Sequence, residues 1–165
     1  MRTPRAYRIL ERAFRAGKQR NGMHLVQYTV LPDHVHLIVE VENRTQLSRG
    51  MQGLNIRLAK ALNRHWRRRG KVLADRYFAV VVKSTRQAMK VLKYVLNNAR
   101  KHGLRMASYE ADPFSSGDVF YGWERLPEEF GETSVGLVAK ARTWLLRIGW
   151  LRHGRISLLA TPRAA

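Results

Sequence analysis

Apolar residues recur with two different periods along the first hundred residues of this chain, and each change of period marks an element. From Pro4 to about Lys18, Tyr7, Leu10, Ala13 and Phe14 return at steps of three and four with arginines between them, which predicts an amphipathic helix. Asn21-Gly22 supplies a turn. Met23 to Leu31 is rich in β-branched and aromatic residues, and Pro32-Asp33 separates it from a second such run, His34 to Val41, so the pair reads as a hairpin. Asn43, with Gln46 three residues on, can cap a helix whose apolar stripe is Leu47, Met51, Leu54, Leu58 and Leu62, running to about Arg68. A third strand is predicted over Arg76 to Lys83, and a helix over Thr85 to Lys101 ending before Gly103. Leu104 to Thr133 reads as a long irregular connection, Leu137 to Ile148 as a short terminal helix, and the rest as a disordered end.

The order helix, strand, strand, helix, strand, helix predicts an α+β fold, an antiparallel sheet with helices on its faces. It is close to the ferredoxin-like βαββαβ arrangement with the first strand missing. Two parts follow: residues 1–103 as the sheet-and-helix domain, and residues 104–165 as an irregular connection with a basic C-terminal helix and tail.

Charge narrows the class of partner. With 31 basic and 12 acidic residues the 165-residue chain carries a formal charge of +19, a field that attracts a polyanion. Nucleic acid is the natural partner, because lysines and arginines that neutralise phosphates release counterions. An anionic membrane surface and a ribosomal-type role are weaker alternatives. No apolar run is long enough to span a membrane, and Met1-Arg2-Thr3-Pro4-Arg5 leads into a charged amphipathic stretch instead of a signal peptide's apolar one. A cytoplasmic, nucleoid-associated location is expected. The absence of cysteine excludes disulfides, thiolate zinc sites and cysteine nucleophiles. On the second helix Arg57, Lys60, Arg64, Arg67 and Arg68 form a basic ridge with almost no acid nearby, which favours contact with phosphates over a merely solvated face.

Two places carry candidate chemistry. Side chains alternate across a strand, so His34 and His36 project from one face about 6.5 Å apart along the backbone, as a two-imidazole clamp suited to a metal ion. In the helix near residue 94, three- and four-residue steps bring Tyr94, Asn98 and Lys101 to one flank of the buried stripe. A phenol at its ordinary pKa of about 10 is a poor nucleophile near neutrality, and a metal ion or a nearby lysine can activate it.

With both segments in view, the chain resembles the single-tyrosine HUH transposases, in particular the REP-associated tyrosine transposases. Leu31-Pro32-Asp33-His34-Val35-His36-Leu37 is similar to the family's His-hydrophobic-His strand after a Pro-Asn or Pro-Asp turn. Tyr94-Val95-Leu96-Asn97-Asn98-Ala99-Arg100-Lys101-His102-Gly103 is similar to its Tyr-Ile-x-x-Asn-Pro-Val-x-x-Gly. The Met51-Gln52-Gly53-Leu54 helix and the Gly70 to Tyr77 approach to the third strand add to a likeness covering roughly residues 1 to 120. The resemblance implies an HUH-type fold and nicking and rejoining of single-stranded or hairpin DNA. Tyr94 would be the nucleophile, forming a 5′-phosphotyrosine, with Lys101 assisting. It implies a divalent ion, Mg²⁺ or Mn²⁺, on His34, His36 and Asn98, and the ridge Arg57 to Arg68 gripping the hairpin backbone. A monomer or a homodimer would serve.

The chain departs from that pattern in two places. Ala99 stands where proline is common. The missing first strand would leave an unpaired sheet edge, and an upstream extension of the reading frame is expected to supply a strand. The alternative function is a non-catalytic DNA- or RNA-hairpin-binding protein, a shortened relative of such transposases.

Overall fold

A computed structural model describes residues 1–74, 76–104, 106–107, 109–128, 130–131 and 134–162. Parts of the expected irregular connection (105, 108, 129, 132 and 133) and of the C-terminal end (163–165) lie outside the described residues.

Helix α1 spans Pro4–Gly17. Thr3 caps it by accepting from the Ala6 amide at 3.3 Å, Pro4 takes the first turn where no amide hydrogen is needed, and Tyr7, Leu10, Ala13 and Phe14 are buried as their spacing requires. A two-residue strand β1, Gln19–Arg20, turns back through Asn21 (φ 55°) and Gly22 (φ 74°) into β2, Met23–Val30. Two successive left-handed residues are what a tight hairpin turn demands, and Asn-Gly tolerates them best. β2 pairs antiparallel with β3, Val35–Glu40, giving the order β1-β2-β3.

A register shift between Leu25 and Gln27 decides how the sheet is shared between two cores. It resets the parity of β2, so that Met23 and Leu25 and then Tyr28 and Val30 all face the layer made by α1 and by α2, Arg44–His65. Val26 and, from β3, Ile38 face the opposite layer, built from α3 (Thr85–Leu96) and aromatic residues of the C-terminal part. Asn43 caps α2 through its side chain, and Leu54, Leu58 and Leu62 seat it on the first core.

Four expectations are corrected. Arg76 to Lys83 forms no strand and belongs to no ladder among the described residues, and Phe78 is 92% exposed. A strand needs a second backbone beside it, and among the described residues β3 pairs only with β2, so the edge this segment would extend has no strand to pass on a ladder. The expected open edge is therefore on β3. The other edge of β2 is covered: the Val30 amide donates to the Phe114 carbonyl (2.8 Å), Ser116 to Tyr28 (3.0 Å) and Ala139 to Leu25 (2.7 Å).

The long third helix is interrupted. α3 stops at Leu96, and a single turn α4, Asn98–Lys101, follows Asn97, whose side-chain amide donates to the Ser157 carbonyl at 3.0 Å. The terminal helix is only α5, Trp144–Arg147, followed by a 3₁₀ turn over Gly149–His153. Residues before it are held extended, because the Glu40 carboxylate accepts from the Arg142 amide (2.7 Å), the Thr143 amide (2.9 Å) and the Thr143 hydroxyl (2.6 Å). Nor is the end disordered as far as Pro162. Ile156 pairs with Gly122 and Glu124 through its backbone, and Ile156, Leu158 and Trp150 are buried against α3.

Candidate active site

The parity of β3 places the site. Val35, Leu37 and Val39 pack toward α1 and α2, which sends His34, His36, Ile38 and Glu40 to the α3 side. There the two imidazoles converge, with His34 Nε2 and His36 Nε2 3.1 Å apart and their rings nearly perpendicular. His34 Nδ1 donates to the Asp33 carboxylate at 2.7 Å, which directs Nε2 toward His36. That bond is also the main reason the Asp33 carboxyl lies below its usual range. Burial, reinforced by the nearby charges of His34, His102 and Lys101, lowers His36 to about 4, so it is neutral near neutral pH.

The tyrosine comes from α3. Its ring meets His36 edge-on with centroids 5.2 Å apart, and Lys101 from α4 reaches back so that Nζ stands 3.5 Å from the Tyr94 hydroxyl and 4.7 Å from the ring centre. Lys101 sits seven residues from Tyr94, two helical turns away, and the break at Asn97 leaves the two on one side. Asn98, first residue of α4, is fully buried, and among the described residues both its amide nitrogen and its oxygen lack a hydrogen-bond partner. Two such orphaned atoms are costly unless something absent from a bare protein chain satisfies them.

One neighbour escaped the sequence reading. His102 ends α4 with its ring 5.9 Å from that of His34. Its signal was only its place after Lys101 in the tyrosine segment.

The donor set fits a divalent ion. Two ligands about 2.1 Å from a six-coordinate ion stand about 3.0 Å apart, near the imidazole separation seen here. The unpartnered amide of Asn98 is an oxygen donor of the right class. Among the described residues no group of three or more His, Asp or Glu side chains is placed to hold a metal.

The basic ridge is elsewhere. Arg57, Lys60 and Arg64 lie on α2, and Arg67 and Arg68 follow it, so the ridge belongs to the helical layer across the sheet from the histidines. Arg57 and Arg64, with Arg12 of α1, line a groove of about 460 Å³ between the two helices. Arg68 is the exception: with His34 it lines a separate cleft of about 630 Å³. No helix among the described residues is long and apolar enough to cross a membrane.

No curated protein and no solved structure gives a significant match to the chain. A family model does: the one described as "Transposase IS200 like" matches residues 3–98, more than half the chain and the whole stretch from α1 to Asn98. That family carries a transposase-like, DNA-binding role and generally uses a divalent metal ion. The chain belongs to the IS200-like transposase family.

Proposed function

We propose that the protein nicks and rejoins single-stranded or hairpin DNA through a tyrosine-linked intermediate. The observation that carries this reading is the assembly of Tyr94, His36 and Lys101 on one face of the sheet, with the phenol beside an ammonium and its ring against an imidazole. The Tyr94 oxygen attacks the scissile phosphorus, the bond from phosphorus to the 3′ oxygen breaks, and the departing oxygen takes up a proton as a 3′-hydroxyl. The 5′-phosphate stays on the tyrosine until another 3′-hydroxyl reverses the step. Lys101 favours the phenolate before attack, and its charge helps to hold the phosphate.

His34, His36 and Asn98 would hold a divalent ion, Mg²⁺ or Mn²⁺. When bound, such an ion polarises the phosphate and offsets the charge that develops on it. Asp33 fixes the tautomer and aim of His34. On the other layer, Arg57, Lys60, Arg64, Arg67 and Arg68 would take the backbone of a hairpin.

The test is cleavage of a labelled hairpin oligonucleotide with single-stranded flanks in Mn²⁺. Wild type should form a protein–DNA adduct stable to denaturant, and Tyr94→Phe should form none. His34→Ala and His36→Ala should reduce adduct at least 100-fold, and chelator should do the same. Hairpin binding without adduct by wild type would establish the second reading, a non-catalytic hairpin-binding protein. The open outer edge of β3 is the observation that favours it.

A further inference from the structure

A break in a helix needs a cause, and neither proline nor glycine stands at the one between α3 and α4. Asn97 departs there from helical geometry, with φ −103° and ψ 14° against about −63° and −42° in a regular helix. Yet the hydrogen-bond ladder runs through it: the Asn97 amide donates to the Lys93 carbonyl (3.1 Å), and its own carbonyl accepts from the Lys101 amide (3.3 Å). Local preference therefore favours a straight helix to Lys101, as the spacing predicts.

What bends it comes from the C-terminal part of the chain. Asn97 is 3% exposed, and its side-chain amide donates to the Ser157 carbonyl at 3.0 Å. An asparagine side chain held by such a partner competes with regular helix geometry. The same carbonyl accepts from the Ala160 amide (3.2 Å), so it belongs to a turn of fixed shape. That turn is anchored in its own right: Ile156 pairs through its backbone with Gly122 and Glu124, and Ile156 and Leu158 pack in one cluster with Leu92, Val95 and Leu96 of α3. The turn lies beyond the residues that match the family model, which end at Asn98.

We infer that Asn97 is a positioning residue, through which the C-terminal turn at Ser157 sets the angle of α4 and with it the placing of Asn98 and Lys101 against Tyr94. Resting on the proposed function, this gives the C-terminal segment a part in the chemistry. Asn97 itself touches neither phosphate nor metal. Its neighbours carry those roles: Asn98 is fully buried with both amide atoms unpartnered among the described residues, and Lys101 Nζ stands 3.5 Å from the Tyr94 hydroxyl. Without the tether α3 and α4 merge into one straight helix. Asn98 then returns to the partly exposed flank that carries Tyr94, about 40° round the axis from it.

The experiment titrates the metal-free full chain with Mn²⁺, followed by electron paramagnetic resonance, with hydrogen exchange on the same proteins. Asn97→Ala removes the donor and favours the straight helix. Leu158→Ala, at a buried position, loosens the turn from the other side and leaves Asn97 in place. Each should weaken Mn²⁺ binding about 10-fold, the loss expected when a group that orients a metal ligand is removed, while the amides of α1 and α2 keep wild-type protection. The double variant should bind no more weakly than the weaker single one, because both changes break one linkage. Leu159→Ala, 58% exposed in the same turn, should bind as wild type does. In adduct assays the maximal rate should fall by a similar factor, with the half-saturating hairpin concentration unchanged.

Either single variant that keeps α1 and α2 protected but binds Mn²⁺ within about 2-fold of wild type would overturn the inference. So would additive losses in the double variant, a loss of binding that comes only with uniform loss of protection, or wild type that binds no Mn²⁺. Wild type that binds Mn²⁺ but forms no adduct would remove the proposed chemistry and leave the Mn²⁺ result to stand or fall on its own.

Discussion

On the α1/α2 side of the sheet, β3 contributes Val35, Leu37 and Val39 to a core that also holds Leu10, Phe14, Leu54 and Leu62. On the α3 side the alternate residues are His36, Ile38 and Glu40 of the same strand, with His34 just before it, facing Tyr94 and the C-terminal segment. One side is held by aliphatic packing between two long helices. The other has its own apolar cluster, with Val26, Leu92, Leu96, Trp123, Trp150 and Ile156 among its members, and adds hydrogen bonds to the Glu40 carboxylate. Both faces are packed, but parity puts the histidines beside Tyr94 on only one of them, and the two faces should respond differently to mutation.

The largest effect on stability is expected from the α1/α2 side. Leu62→Ala, at a fully buried position on α2, removes three carbon atoms from a closed core and should cost about 3 kcal/mol. Denaturant melts measure this, and adduct formed per folded molecule should stay at the wild-type level. A loss of adduct beyond the loss of folded protein would mean that the two faces are coupled.

Glu40→Ala should cost somewhat less, about 2 kcal/mol, because it leaves the Arg142 and Thr143 amides without their acceptor. Its effect should be local. Hydrogen exchange should speed up at residues 142–147 and at the 3₁₀ turn while the amides of α1 and α2 keep their protection. Uniform loss of protection would show that the C-terminal segment and the first core unfold together.

The contrast also explains what could be read from the sequence. α1, the Asn21-Gly22 turn, β2, β3 and α2 carry local signals, namely Thr3 and Asn43 as caps, Asn-Gly for two left-handed residues, and stripes of fixed period. His34 and His36 followed from parity, and Tyr94 with Lys101 from helical spacing. What escaped was decided at long range. The stop at Asn97 depends on Ser157, the short α5 on Glu40, and the docking of Ile156 on Gly122 and Glu124. Nothing within Arg76 to Lys83 tells whether a neighbouring backbone is there to pair with it.

Across the sheet from the histidines, Arg57→Ala with Arg64→Ala should weaken hairpin binding without touching the chemical step. With two fewer phosphates neutralised, the plot of log affinity against log salt should become shallower by about 1.4–1.8. Adduct formed per bound hairpin should not change. If the salt slope is unaffected, these arginines form a solvated face and the hairpin lies elsewhere.

The smallest effect bears on the open edge itself. Phe78 is 92% exposed on a segment that joins no ladder among the described residues, with Val80 and Val81 exposed beside it at 68% and 71%. A large apolar ring in water contributes almost nothing to folding, so Phe78→Ser should shift stability by no more than about 0.5 kcal/mol. It should also raise solubility, because a run of exposed apolar side chains invites association between chains. Denaturant midpoints and light scattering measure both. A cost above about 1 kcal/mol would mean that Phe78 is buried and residues 76–83 are paired in solution. The open edge of β3 would then be closed.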